Sequence, residues 1–273
     1  MRRWCFLITV AAGAMLALPS PAKAQWTLPK GGWFMSHSFN VGSFPDRFSA
    51  GPGATENELD KVDYGLYFLY GWREGTSVGL GQGFSRLEQT FNGTTTTNTG
   101  FGSTGFFIMH RLAQGKAGIL SIQPRIDLPL LFDNDERPAL GPVEADAEIR
   151  LLYGNGFGIA GTRGFMNASA GISTIRAGND EIRYDGTVGI DAHPRLLLMG
   201  QAFNVIGLAD GGGIAYSATK LGASAVFRAS PTVGLLIGYF RGVSGKNTSR
   251  ERTFSIGIWL SHTPQSPVVP PQQ

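Results

Sequence analysis

The chain has 273 residues, of which 39 are glycine and only 16% are charged. Arg2, Arg3 and Lys23 account for three of its 23 basic residues, so the chain after residue 24 has 20 basic against 20 acidic residues. This balance excludes the basic surface that nucleic-acid binding needs, and we expect no nucleic-acid partner. The only cysteine is Cys5, so the later chain has no thiol for a disulfide, a metal or a nucleophile. We also find no phosphate-binding loop or zinc-ligand motif, and therefore expect no metal and no cofactor.

Residues 1–24 have the layout of a cleavable export signal. Arg2 and Arg3 precede a short apolar stretch, and the segment closes on small residues at Ala22 and Ala24. The pattern predicts cleavage after Ala24 and export through the general secretory route. No later segment approaches 18 consecutive apolar residues. Helical membrane spanning is therefore excluded for the rest of the chain.

Alternation of apolar and polar residues begins soon after the signal. Residues 32–43 and 62–73 alternate with period two, as a strand with one apolar face does. A long polar loop, 44–61, joins them, whereas Glu74-Gly75 forms a tight turn into the next strand, 76–88. A long connection is thus followed by a short one.

The same rhythm continues to the end of the chain. The further predicted strands are 99–112, 117–130, 145–153, 157–172, 182–192, 196–206, 217–228, 233–241 and 253–262. Short turns are predicted at 113–116, 154–156, 193–195 and 229–232, and longer polar loops at 89–98, 131–144, 173–181, 207–216 and 242–252. This alternation of loop lengths is typical of outer-membrane barrels, which have short periplasmic turns and longer extracellular loops. A soluble β-sandwich gives no reason for it.

The sequence therefore predicts an all-β fold, an antiparallel transmembrane β-barrel of about 12 strands. The barrel domain is expected over residues 25–262, followed by a proline-rich tail at 263–273 that lacks the donors to continue a sheet. The bacterial outer membrane is the expected location. Outer-membrane lipid and the barrel-assembly machinery are the expected partners.

Several strands oppose an apolar face to a charged one. A charge that faces lipid at mid-bilayer costs about 2–4 kcal/mol, so the charged faces are predicted to line the lumen. The candidate lumen residues are Arg125, Asp127, Asp146, Glu148, Arg150, Arg183 and Asp185. One hypothesis is a charged constriction that gives passive or facilitated passage to a small or polymeric solute. The other is a salt-bridged network that plugs the barrel and leaves it a surface or scaffold protein of an envelope or exopolysaccharide system.

A lipid hydrolase is the remaining alternative, because some small outer-membrane barrels use a histidine-activated serine. His37 is the one histidine that this topology keeps away from the periplasmic rim, and it aligns with the apolar face of the first strand. We therefore expect no enzyme. Aromatic residues near strand ends are predicted to form an interfacial girdle. They are Trp33, Phe34, Tyr70, Trp72, Tyr153, Tyr239 and Trp259.

The chain after the signal opens with the sequence WTLPKGG at 26–32, directly before the first strand. This W-x-x-P-K-G opening and the barrel layout resemble a loose group of bacterial outer-membrane proteins, some found with aromatic-degradation (meta-pathway) genes and others beside exopolysaccharide-synthesis genes. The group has no catalytic motif to carry over. The resemblance implies an outer-membrane barrel, although the proline-rich tail departs from the usual ending on the last aromatic-bearing strand.

Overall fold

The computed structural model describes residues 27–48, 57–131, 138–141, 144–159, 161–175, 179–209 and 214–264. The predicted signal and most of the predicted tail lie outside these residues. The described residues form twelve strands: β1 (Trp33–Phe44), β2 (Asn57–Arg73), β3 (Thr76–Phe91), β4 (Thr94–Gly115), β5 (Gly118–Leu128), β6 (Asp146–Ile159), β7 (Thr162–Ile175), β8 (Glu181–His193), β9 (Leu196–Gly207), β10 (Tyr216–Arg228), β11 (Val233–Lys246) and β12 (Arg252–His262).

Each strand pairs antiparallel with its sequence neighbours, and β1 also pairs with β12 to close the barrel. Trp33 lies opposite His262 in this closing ladder, so the start of β1 and the end of β12 lie at the same end of the barrel. Closure leaves no strand edge unpaired, which is what a sheet needs in order to lie in lipid. The prediction of an antiparallel barrel of about 12 strands is confirmed.

The period-two pattern divides every strand between an outer and an inner face. The outer face is apolar and exposed, as at Phe39, Tyr64, Phe106, Ile149, Ile182, Leu221, Ile237 and Phe254. Charged, hydroxyl and glycine residues alternate with these and point inward. No helix in the described part of the chain is long and apolar enough to cross a membrane.

Two predicted connections were wrong. The turn predicted at 154–156 is part of β6, which continues to Ile159, and β7 begins at Thr162. Gly161 takes the positive φ of 81° that this turn requires, so it, and not the Gly-Asn-Gly sequence, reverses the chain. The long loop predicted at 89–98 is instead a tight hairpin between β3 and β4. Asn92 (φ 49°) and Gly93 (φ 76°) both have the positive φ of a type I′ turn.

Candidate functional site

The seven candidate lumen residues lie on the inner faces of three strands, β5, β6 and β8, and β7 lies between the last two. In the cross-strand register, Asp127 lies opposite Asp146, and Arg125 lies opposite Glu148. Arg150 and Arg183 both lie opposite Gly171 of β7, one on each side. Because facing residues in a ladder share one face of the sheet, pairing brings all seven to one wall of the lumen. We call this wall, on β5, β6, β7 and β8, the charged wall.

Ion pairs connect most of the charged wall. The Arg125 guanidinium donates two hydrogen bonds of 2.6 Å to the two carboxylate oxygens of Asp127. Arg150 donates to Glu148 at 2.7 Å and to Asp185 at 2.8 Å, which joins β6 to β8. Glu148, whose side chain is only 4% exposed, also lies 3.6 Å from Arg183. A buried carboxylate of this kind needs such partners to remain charged.

Sequence reasoning missed part of this wall. Glu181 forms an ion pair with Arg183 and accepts a hydrogen bond from the Tyr216 hydroxyl. The Ser173 hydroxyl donates to Asp146 at 2.7 Å. The predicted loop at 173–181 includes both Ser173 and Glu181, although Glu181 lies two residues before Arg183 and so shares its face. Extending the alternation by one residue pair would have found Glu181.

The charged wall lies toward one end of the barrel. Asp146 is the first residue of β6 and Glu181 the first of β8, whereas Asp127 is the penultimate residue of β5. This is the end opposite Trp33 and His262, where the barrel domain starts and finishes. The wall therefore lies away from the chain termini.

Residues before β1 fold into the barrel at the other end. The backbone N–H of Leu28 donates to the Ser77 hydroxyl at 2.8 Å, and Ser77 is fully buried. Gly71 exchanges two backbone hydrogen bonds with the segment, one with Gly31 and one with Gly32, both at 2.8 Å. The segment 27–32, called here the N-terminal segment, thus occupies the lumen beside β2 and β3.

Two apolar clusters line the same half of the lumen. The first comprises Leu69, Phe107, Met109 and Leu152, with Leu28, Phe34 and Tyr67 packed against it. The second comprises Leu197, Met199 and Val226, with Phe165, Leu236 and Trp259 packed against it. Phe34 and Trp259 contact each other edge to face at 5.7 Å between ring centroids. The prediction that these two residues belong to an outer aromatic girdle was therefore wrong, because both point inward.

A cavity of about 410 Å³ lies between the second apolar cluster and β1. Uncharged polar side chains line one part of it, and aromatic side chains line another. The polar residues include Asn40, Asn167, Thr187 and Gln201, and the aromatic residues include Phe165, Phe240 and Trp259. Among the described residues that line it there is no Asp, Glu, Lys or Arg. This cavity thus lacks the carboxylates and guanidinium groups of the charged wall.

The His37 ring does not have a hydrolase's surroundings. Its Nδ1 forms a hydrogen bond with the Tyr64 hydroxyl, and its Nε2 lies 3.0 Å from the Met35 sulfur. Tyr64 belongs to the outer face, so this pair faces lipid rather than the lumen. Within the described residues there is also no group of three or more His, Cys, Asp or Glu that could hold a metal ion.

Neither a protein-family model nor a curated protein matches this chain. The fold is similar to that of the COG4313 outer membrane channel from Pseudomonas putida F1, with a TM-score of 0.71 at 13% identity over 89% of this chain and 99% of that one. It is also similar to the NanC porin, with a TM-score of 0.52 at 11% identity over 83% and 98% of the two chains. The transport unit of the Escherichia coli autotransporter AIDA-I matches with a TM-score of 0.52 at 9% identity, over 93% and 97%. At these identities the likeness shows the fold, which is that of an outer-membrane β-barrel.

Proposed function

We propose that the protein is an outer-membrane channel that gives passage to a small solute through its lumen, with the charged wall along the route. The observation that carries this proposal is the cavity of about 410 Å³ inside a closed barrel. Side chains fill the interior of eight-stranded barrels, and the interior becomes wider as the number of strands increases to twelve. Among the proteins of similar fold, the COG4313 protein is an outer membrane channel and NanC is a porin. Passage is therefore the first function to test.

The charge of the wall suggests which ions pass more easily. Three arginines face five carboxylates there, so the wall carries a net charge of −2 (three minus five). The arginines are Arg125, Arg150 and Arg183, and the carboxylates are Asp127, Asp146, Glu148, Glu181 and Asp185. Rings of carboxylates favour cations in pores. We therefore expect a preference for cations.

Reversal potentials under a salt gradient in planar bilayers test this assignment. The Asp146→Asn variant should lower the cation preference, and Arg125→Ala should raise it. Asp60→Asn is the matched control, since Asp60 lies opposite Ser43 on the outer face and is exposed to the surroundings of the barrel. If both wall variants keep the wild-type reversal potential while the pore conducts, the charged wall does not line the route.

The second candidate function is a plugged barrel that serves as a surface or scaffold protein. The N-terminal segment and the two apolar clusters favour it, because they narrow the half of the lumen nearest the termini. This candidate predicts that no ionic current appears even after the segment is removed. The channel predicts that current appears or increases.

We also propose that the protein lies in the bacterial outer membrane and acts without catalysis. The apolar outer face and the closed barrel support this location. Comparison of the gel mobility of unheated and boiled outer-membrane fractions is the test. A heat-modifiable band is expected there, and a soluble protein without such a band would contradict the location.

A further inference from the structure

Two arginines lie directly opposite each other on the outer face of the barrel. In the β11–β12 ladder, Arg241 faces Arg252, and the preceding pair on the same face is Tyr239 with Phe254. Both arginines are exposed. Lys246, the last residue of β11, lies opposite Ser217 and also points outward and is exposed. We call Arg241, Lys246 and Arg252 the outer basic patch.

The outer basic patch has no counter-ion in the described part of the protein. None of its three cations lies within 4.0 Å of a carboxylate there. Arg86, an arginine on the outer face of β3, differs because it is paired with Glu88 at 3.2 Å. Like charges that face each other across a ladder destabilise a sheet. An anion held between Arg241 and Arg252 would remove this repulsion.

The position of the patch indicates the source of such an anion. Arg252 is the first residue of β12 and Lys246 the last of β11, so the patch lies at the end of the barrel opposite the chain termini. Below it, the same face carries the exposed apolar side chains of Ile237, Phe254 and Ile256. An arginine costs only about 0–1 kcal/mol near the membrane interface, against about 2–4 kcal/mol at the midplane. The patch therefore suits the level at which acyl chains end and headgroups begin.

We propose that the outer basic patch binds the phosphate group of an outer-leaflet lipid. Guanidinium groups bind phosphate through paired hydrogen bonds, and the two opposed guanidinium groups of Arg241 and Arg252 supply the charge to hold it. Lys246 adds a positive charge at the same end of the outer face. The apolar side chains below contact the acyl chains of the same lipid. The outer-leaflet position rests on the outer-membrane location proposed above, whereas binding itself does not depend on passage through the lumen.

The test counts bound lipids on the folded, detergent-purified mature protein by native mass spectrometry. The probes are dioleoyl phosphatidic acid and dioleoylglycerol, which differ by the phosphate. The wild type should retain phosphatidic acid and not dioleoylglycerol, and the Arg241→Gln/Arg252→Gln variant should bind phosphatidic acid about tenfold more weakly. Arg86→Gln is the matched control and should bind as the wild type does. Equal binding by the double variant, or equal retention of both lipids, would overturn the proposal.

A third arm separates a lipid phosphate from free phosphate. Inorganic phosphate at millimolar concentration should leave the bound phosphatidic acid in place, and full displacement would overturn the assignment to a lipid. If the double variant does not give a heat-modifiable band, Arg252→Gln and Lys246→Gln replace it, each with a weaker loss expected. The patch faces away from the lumen, so its variants should conduct as the wild type does. Failure of lipid binding is thereby distinguishable from failure of the channel.

Discussion

Gly71 holds the N-terminal segment in the lumen through two backbone hydrogen bonds. A single added methyl group at this position should displace the segment and widen the open lumen. A Cβ at this position would lie 2.0 Å from the Pro29 carbonyl oxygen, where at least 3.0 Å is needed. The segment must therefore move by at least 1.0 Å, which breaks the two 2.8 Å hydrogen bonds that Gly71 makes with Gly31 and Gly32. At about 1 kcal/mol each, their loss disfavours the docked segment by about 2 kcal/mol, a roughly thirtyfold change in its docked-to-undocked ratio.

Single-channel recording in planar bilayers measures the consequence. The Gly71→Ala variant should show larger or longer-lived conducting states than the wild type. Gly83→Ala is the matched control, because Gly83 lies on the same inner face of the neighbouring strand and a Cβ there approaches nothing closer than the Tyr64 carbonyl oxygen at 4.0 Å. If Gly71→Ala folds and conducts as the wild type does, the N-terminal segment does not control the lumen.

Three further variants test other parts of the structure. Arg150→Met leaves the buried Glu148 with Arg183, at 3.6 Å, as its one remaining cationic partner among the described residues, so we expect the free energy of unfolding in urea to fall by about 2 kcal/mol. Arg86→Met should lower it by less than about 1 kcal/mol, and equal losses for the two variants would mean that the ion pairs of the charged wall do not stabilise the barrel. Gly93→Val forces a β-branched residue to φ 76° and should lower the unfolding free energy by about 1–2 kcal/mol, and an unchanged urea midpoint would argue against the tight turn. His37→Phe replaces a lipid-facing ring and should leave conductance unchanged, and a lost current would give His37 a role in passage.

Alternation of apolar and polar residues was enough to predict the number of strands and the inner face of the charged wall. It succeeds because lipid on one side and a polar lumen on the other penalise any slip of register, which would turn every side chain of a strand to the wrong face. Arg125 and Glu148 are examples, since their inward direction follows from the apolar residues between which they alternate.

The errors came from features that alternation does not determine. Gly154 and Gly156 fit either a turn or a strand, and the turn at Gly161 is decided by pairing with β7. The Asn-Gly sequence at 92–93 favours a tight hairpin turn, but the polar residues on both sides of it suggested a longer loop. The entry of the N-terminal segment into the lumen depends on space left by a residue far away in the chain, Gly71. Trp259 is an exception, because its inward position follows from alternation with the outward Ile256 and Ile258, and only its place near the strand end suggested the girdle.

The most direct test of the channel compares the conductance of the mature chain with that of a chain lacking residues 25–31, both inserted into planar bilayers at the same salt concentration. The structure predicts small discrete current steps for the mature chain and larger ones after the deletion, because the segment that contacts Ser77 and Gly71 is then absent from the lumen. Folded barrels that give no current steps in either form would contradict passage through the lumen and favour the plugged barrel.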